Sequence, residues 1–227
     1  MIHLRMGTAQ VIKPMIELNV PINEEKGERA DAAANRALIL ETAERLFAEQ
    51  GVANVNMADI AQAAGVGKGT LYRRFASKSV LCLTLMDTQM RTFQDEILAR
   101  LRQMGWQNVP FLQQLGHFLE AYVLFADLHL PLLCEVQHEG WLGDEGIDRP
   151  YIWRYLTVKG LLDAAARQHE IAPDLDTAYL AEALLAPLHP GLFRFQRVHR
   201  GFALDRISMG LRSLVDSLAL KNNEETP

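Results

Sequence analysis

Residues 56–78 constrain the fold most, because a helical apolar period begins, stops and begins again within this short window. The segment reads NMADIAQAAGVGKGTLYRRFASK. Asn56 is placed to cap a first short helix, and Gly65 is placed to end it. A second short helix is expected from about Lys68 to Phe75. The pattern therefore predicts two short helices that are joined by a tight turn.

The same window carries an unusual local charge. No acidic residue occurs from Ile60 to Met86, although the formal net charge of the chain is −5. Four basic residues lie inside this stretch, namely Lys68, Arg73, Arg74 and Lys78. A basic helix in an acidic chain indicates a polyanionic partner. We therefore predict a helix-turn-helix whose second helix enters the major groove of double-stranded DNA.

The predicted DNA contacts lie mainly on the exposed side of this second helix. Gly69 lets the backbone approach a phosphate, whereas Thr70 and Tyr72 offer hydroxyl groups. Arginine side chains at the end of the helix read guanine or bind phosphate, and a lysine at the start of the following helix binds a phosphate. The complete predicted set is Asn56, Lys68, Gly69, Thr70, Tyr72, Arg73, Arg74 and Lys78.

The remaining sequence predicts an all-α chain. One apolar helical stripe ends at Gly51, and a long helix that Ser77 caps follows the window. Further helices are expected at about 108–126, 131–139, 149–169, 174–199 and 203–220, the fourth of them interrupted by prolines. We divide the chain into a mobile N-terminal arm (1–32), a helix-turn-helix DNA-binding domain (33–79) and a helical effector-binding and dimerisation domain (80–227).

Composition predicts a cytoplasmic protein without a membrane segment. The chain has two cysteines, Cys82 and Cys134, and no pattern typical of a disulfide framework. No apolar run reaches the length of about 18 residues that a transmembrane helix needs. The N-terminal segment lacks the continuous apolar core of a signal peptide.

Two patterns within 36–85 are specific enough to compare with known families. They are Arg36-x-x-Ile39-Leu40-x-x-Ala43-x-x-Leu46-Phe47-x-x-x-Gly51 and Asp59-Ile60-Ala61-x-x-Ala64-Gly65-Val66-x-Lys68-Gly69-Thr70-Leu71-Tyr72-x-x-Phe75-x-x-Lys78. Together they resemble the DNA-binding domain of TetR/AcrR-type transcriptional regulators. The resemblance implies a three-helix head, a larger ligand-binding body and a homodimer. It also implies that Asn56, Thr70, Tyr72 and Lys78 meet the DNA backbone, while the family commonly has Tyr or His where Arg74 stands.

The C-terminal part is similar, more loosely, to the last two helices of such regulators, which usually form a four-helix dimer interface. The residues themselves show an apolar stripe near the C-terminus that requires a packing partner. Packing within one subunit is the open alternative. The predicted interface consists of Leu184, Leu188, Ile207, Leu211, Leu214 and Leu218.

Large aromatic rings are concentrated in the middle of the chain. Core packing explains many of them, but several are expected to line a pocket between body helices. No cluster of lysine or arginine accompanies the rings, which favours an uncharged, largely apolar effector. The predicted pocket residues are Phe111, Phe118, Tyr122, Phe125, His138, Trp141 and Trp153.

Other chemistries find little support in the sequence. His129, Cys134 and His138 have a spacing that a metal ion could use, but we interpret them as ordinary pocket or surface residues. The stretch from Gly65 to Thr70 lacks the spacing of a nucleotide-binding loop. No catalytic motif occurs, so we expect no enzyme activity, no metal and no cofactor.

The sequence thus predicts a sequence-specific transcriptional regulator that binds operator DNA as a homodimer. We interpret it as a repressor that a small effector molecule releases from the operator. A regulator that activates or that needs no ligand is an alternative. A non-specific DNA-binding protein is a weaker alternative, because the part of the chain after the window is acidic rather than basic.

Overall fold

The described part of the protein, residues 26–138 and 149–220 of a computed structural model, consists of helices and their connections. It contains no β-strand within these ranges, and the predicted all-α fold is confirmed. The helices are α1 (Lys26–Gln50), α2 (Met57–Ala63), α3 (Lys68–Arg74), α4 (Lys78–Trp106), α5 (Phe111–Leu128), α6 (Leu130–His138), α7 (Arg149–Arg167), α8 (Thr177–Leu185), α9 (Pro190–Arg194) and α10 (Leu204–Asp216).

The N-terminal helices α1, α2 and α3 form a head around one apolar core. Ile39, Ile60 and Leu71 are fully buried there, one from each helix. Two residues of α4, Leu81 and Cys82, belong to the same core, so the head extends past the predicted boundary at residue 79. The predicted N-terminal arm (1–32) also overlaps the observed structure, because α1 already begins at residue 26.

Helix α4 connects the head to the body, which comprises the rest of α4 and helices α5 to α10. Its N-terminal turn packs in the head, whereas Met86, Met90 and Ile97 lie in a separate core that the body helices enclose. Since one continuous helix of 29 residues supplies side chains to both cores, a rotation or shift of α4 in the body moves the head with it. This confirms α4 as the long helix that the sequence predicts after Ser77.

Helix α5 is held at its start and near its middle by side chains from other parts of the body. The carboxylate of Glu170 accepts the backbone N–H groups of Phe111 at 2.7 Å and Leu112 at 2.9 Å, which caps the start of the helix. Further along, Gly116 leaves room for the guanidinium of Arg212 from α10, and Arg212 pairs with Glu120 at 3.0 Å. The Glu170 contact ties the start of α5 to the loop after α7, and the Arg212–Glu120 pair fixes α5 against α10.

The predicted break in the fourth body segment is present. Helix α8 ends before Pro187, a short 3-10 turn covers Ala186–Leu188, and α9 begins at Pro190. Both prolines stand where a continuous helix would need a backbone N–H donor. The chain then continues as a π-helical turn at Phe195–His199 and reaches α10.

Candidate DNA-binding and effector sites

The first helix of the motif, α2, begins with a complete capping box. The Oδ1 atom of Asn56 accepts the N–H groups of Ala58 at 2.8 Å and Asp59 at 3.1 Å, and the Asp59 carboxylate accepts the N–H of Asn56 at 2.8 Å. Three backbone donors at the start of α2 are thereby satisfied. The cap that the sequence predicts at this residue is confirmed.

The cap makes a stability prediction for the head. Asn56→Ala should lower the free energy of unfolding by about 1 kcal/mol, because the N–H groups at the start of α2 lose their acceptor. Asn56→Ser is the matched control and should remain close to the wild type, since serine also caps helices well. Thermal and urea unfolding of the two variants checks this difference. Equal losses in both variants would show that the cap contributes nothing beyond side-chain size.

The turn between α2 and α3 needs glycine at one position. Gly65 has φ = 66°, in the left-handed region that side chains with a Cβ avoid. The turn closes with hydrogen bonds from Gly65 N–H to the Gln62 carbonyl at 3.2 Å and from Val66 N–H to the Ala61 carbonyl at 3.0 Å. Small buried side chains at Ala61 and Ala64 let the two helices approach each other. The tight turn of the sequence analysis is therefore present.

Helix α3 buries one side chain and exposes a polar, basic surface. Leu71 is fully buried in the head, whereas Tyr72 is 52% exposed. Lys68, Gly69, Arg73 and Arg74 are exposed as well, and Thr70 is half-buried with its hydroxyl 3.4 Å from an Arg73 nitrogen. Six of the eight predicted DNA contacts thus lie on one seven-residue helix. Asn56, at the start of α2, is also exposed.

The eighth predicted contact, Lys78, has a different environment. Its side chain is only 13% exposed, and its Nζ atom lies 3.1 Å from Oε2 of Glu135 on α6. The ammonium also lies 6.0 Å from the ring centroid of Phe47. In this structure Lys78 therefore joins the head to the body, which sequence spacing could not indicate because its partner lies 57 residues away.

Four of the predicted pocket residues converge in the body. Phe118, Tyr122 and Phe125 follow one another along α5, and Trp153 of α7 packs against Phe118 with 5.8 Å between ring centroids. Phe93 of α4 joins them and lies 4.7 Å from Phe125. We call these five rings the aromatic cluster. Phe93 is not among the predicted pocket residues, and the packing of α4 against α5 brings it into this cluster.

Of the other three predicted pocket residues, the structure describes the side chain of Phe111 only. Phe111 is half-buried at the start of α5, two turns before Phe118, next to Glu170. The side chain of His138 and the whole of Trp141 lie outside the described residues.

A buried arginine accompanies the aromatic cluster. Arg154 of α7 is 6% exposed, donates a hydrogen bond from Nη1 to the Tyr122 hydroxyl, and holds its guanidinium 5.2 Å from the centroid of the Tyr122 ring. The sequence indicates that no cluster of lysine or arginine accompanies the rings, and the structure places this one arginine beside Tyr122. The sequence shows that Trp153 and Arg154 are adjacent, but it does not show that both side chains contact the aromatic cluster.

An open groove between α4 and α5 borders the aromatic cluster. Its volume is about 620 Å³, and its lining includes Phe93 and Phe125 together with His117, His129 and Leu128. Burial lowers the pKa of His129, which keeps this imidazole neutral at neutral pH. The groove is mostly apolar with polar groups at its rim, the composition that small-molecule sites share.

Of the three residues considered for metal binding, the structure describes the side chains of His129 and Cys134 but not that of His138. Cys134 lies 3.8 Å from the Pro190 carbonyl, and burial raises the pKa of its thiol while Arg194 acts in the opposite direction. Within the ranges that the structure covers, no group of three or more His, Cys, Asp or Glu side chains has metal-binding geometry.

A membrane span is likewise not found: none of the helices described above is both long enough and apolar enough to cross a bilayer.

Five of the six residues predicted for the dimer interface are buried or half-buried in the structure. Leu184, Leu188, Ile207 and Leu211 are each at most 6% exposed and pack in the core of their own subunit, and Leu218 is half-buried. Leu214 is 53% exposed. Other apolar side chains are exposed on the neighbouring α9 and π-helical turn, namely Leu192, Phe195 and Val198. We call Leu192, Phe195, Val198 and Leu214 the C-terminal apolar face.

Known proteins share both the motif and the fold. A sequence model of the bacterial regulatory proteins of the tetR family matches residues 39–85. An HTH-type transcriptional regulator of Staphylococcus aureus is 46% identical over 177 residues, which cover 78% of this chain and 90% of that protein. A TetR-family transcriptional regulator from Pectobacterium atrosepticum superposes with a TM-score of 0.60 at 22% identity, over 85% of this chain and 98% of the other. Thermus thermophilus FadR, a TetR-family repressor in complex with lauroyl-CoA, superposes with a TM-score of 0.62 at 18% sequence identity. The superposition covers 85% of this chain and 98% of FadR.

Proposed function

We propose that this chain, which belongs to the TetR family of DNA-binding transcriptional regulators, is a dimeric repressor. The family has no enzymatic activity. The operator complex dissociates when a largely apolar effector binds to the body. The single observation that carries this proposal is the exposed basic surface of α3. The proposed repressor has three features beyond its family membership. They are a set of side chains that contact DNA, a two-fold symmetric dimer and a ligand site.

The DNA-reading element of the proposal is α3. Its buried Leu71 anchors the helix in the head, so that Tyr72, Arg73 and Arg74 are presented from a rigid support. Arginine forks suit the N7 and O6 acceptors of guanine, and hydroxyl groups suit phosphate oxygens. We assign base reading to the arginines and backbone contact to Asn56, Thr70 and Tyr72.

The assembly of the proposal is a symmetric dimer formed by the C-terminal apolar face. Three of its exposed apolar side chains, Leu192, Phe195 and Leu214, line one open groove. Such a surface requires cover in water, and a two-fold axis lets two identical faces cover each other. Two copies of α3 would then meet successive major grooves, about 34–36 Å apart, on a palindromic operator.

The ligand site of the proposal is the aromatic cluster together with the groove between α4 and α5. A volume of 620 Å³ fits the range of about 300–1,000 Å³ that is typical of small-molecule pockets. Phe93, Phe125 and Leu128 in the lining of the groove favour an apolar ligand, and His117 and His129 of the same lining supply polar groups that can orient it. The lauroyl-CoA complex of FadR supports the idea that a body of this fold holds an acyl-bearing molecule.

Release requires that the ligand prefers a different arrangement of α4. Phe93 belongs to α4 and lies in the aromatic cluster, so a ligand that displaces this ring acts directly on the helix that carries the head. A ligand that bound both arrangements equally well would leave the DNA affinity unchanged.

The proposal is tested by fluorescence anisotropy of the full-length protein on the DNA upstream of its own coding region. We expect binding that a shuffled duplex does not compete away, and dissociation on adding some members of a panel of apolar compounds. Binding without any responsive compound would support a ligand-independent regulator, and tighter binding with a compound would overturn release. Phe93→Ala should alter the response while retaining DNA binding.

One side chain allows a sharp prediction about the DNA contact. Tyr72→Ala should weaken binding by roughly tenfold on operator and shuffled DNA alike, because a phosphate contact carries no sequence information. Arg73→Ala should instead reduce the preference for the operator. Competition titrations with both duplexes check the difference. A Tyr72 variant that loses only operator binding would assign this side chain to base reading.

A further inference from the structure

The most informative contact outside the DNA-reading surface is the ion pair between Lys78 and Glu135. Lys78 is the first residue of α4, immediately after the N-cap Ser77, and it belongs to the motif that marks the head. The side chains of the pair are 13% and 18% exposed, so both charges are largely removed from water. The ammonium of Lys78 is therefore paired with the carboxylate of Glu135 in this structure.

The backbone of Glu135 is tied to the first turn of α4. Its backbone carbonyl accepts a hydrogen bond from the Ser79 hydroxyl at 2.8 Å, and Ser79 is fully buried. On the helix that carries Glu135, Leu132 and Val136 pack against the core of the head. Helix α6 thus contacts the head through apolar side chains and presents a carboxylate to the start of α4.

We propose that Glu135 is a positioning residue for DNA binding, because it competes with a DNA phosphate for the ammonium of Lys78. This inference rests on the proposed DNA-binding function. When the operator binds, Lys78 leaves Glu135 for a phosphate oxygen. When α6 presents Glu135 to Lys78, the ammonium stays with the carboxylate and the DNA loses one anchor.

The competition follows from the chemistry of the groups. A lysine ammonium is a compact charge on a flexible stem, so it can exchange one oxyanion for another by rotating a few bonds. Both partners are anionic oxygens that attract the same ammonium, and its side chain is only 13% exposed beside the Phe47 ring, so a phosphate gains this cation at the expense of the carboxylate. The affinity for DNA therefore includes the loss of the Lys78–Glu135 pair.

The same exchange links α6 to the DNA-binding surface. Helix α6 also contacts the C-terminal part of the body, where the Gln137 amide oxygen accepts the N–H of Gly191 on α9 at 3.0 Å. A movement of α6 relative to α4 changes the distance between Glu135 and Lys78 and therefore the number of cations available to the DNA.

Glu135→Gln tests the competition with little change in shape, because glutamine retains an oxygen acceptor while the negative charge is lost. We expect operator affinity to rise by about threefold to tenfold, as the pair no longer has to be broken. Lys78→Met should lower the affinity and reduce the slope of log K against log salt by about 1, the change expected for one lost phosphate contact.

The decisive comparison is Glu135→Gln in the Lys78→Met background. If the carboxylate acts by competing for this ammonium, the gain in affinity disappears in the double variant. An equal gain in both backgrounds would show a general charge effect, and no gain in either would overturn the competition. Glu120→Gln removes one equally charged partner from the Arg212 pair and should leave operator affinity unchanged.

These outcomes are separable from a failure of the proposed function. Wild-type protein that does not discriminate the operator from shuffled DNA contradicts the regulator itself. Wild-type protein that discriminates, combined with a Glu135→Gln variant of unchanged affinity, contradicts only the role of Glu135. Thermal unfolding of each variant confirms that the compared proteins are folded.

Discussion

Replacing both Phe195 and Leu214 with glutamate should convert the dimer into monomers and lower operator affinity by about 100-fold or more. The two side chains are 48% and 53% exposed on the C-terminal apolar face, so the charges are compatible with a folded monomer and incompatible with a buried interface. DNA affinity falls because a dimer binds its second half-site at a high effective concentration, an advantage of about 10² to 10⁴ that a monomer lacks.

Light scattering and sedimentation measure the assembly, and anisotropy measures the DNA affinity. Trp106→Glu is the matched control, because Trp106 is 83% exposed at the end of α4 and lies outside the C-terminal apolar face. We expect this control to remain dimeric. An intact dimer in the double variant would place the interface elsewhere. Leu211→Glu is unsuitable for this purpose, since Leu211 is 3% exposed and the change would unfold the subunit.

Replacing Phe75 with alanine should unfold the head while the body stays folded and dimeric. Phe75 is fully buried in the head, and the Arg36 guanidinium lies 5.0 Å from its ring centroid. Loss of a buried phenylalanine ring costs about 3–5 kcal/mol, which is a large share of what a small helical head can supply. Operator binding should therefore be abolished.

The separate effect on the two parts follows from their separate apolar cores. The head core and the body core have no buried side chain in common, although α4 contributes to both and Leu132 of α6 packs against both. Calorimetry and far-UV circular dichroism should show that the head melts at a lower temperature than the body in Phe75→Ala. Phe118→Ala, which removes a fully buried ring from the body, should shift the body transition instead. One shared transition that moves equally in both variants would contradict two cores that unfold separately.

Features that depend on neighbouring residues could be predicted well from the sequence. The caps at Asn56 and Ser77, the glycine turn at Gly65 and the break near Pro187 all follow from backbone hydrogen bonding within a few residues. The helix-turn-helix was accessible for the same reason, because its geometry is set within one short window.

Features that depend on distant residues were not accessible in the same way. The Lys78–Glu135 pair and the Arg154–Tyr122 pair each join helices that are far apart in sequence, and no spacing rule connects them. In α10 the sequence shows apolar residues on two adjacent sides. Packing against α5 decides that Leu211 faces inward and that Leu214 stays exposed.

We expect two copies of α3 to read one two-fold symmetric DNA site, and DNase footprinting measures this arrangement directly. Full-length protein on the DNA upstream of its own coding region should protect two half-sites whose centres lie about 34–36 Å apart. Arg73→Ala should erase this footprint at a concentration where Glu120→Gln retains it. Uniform protection along the DNA would contradict recognition of a two-fold symmetric site. Protection unaffected by Arg73→Ala would contradict base reading by α3.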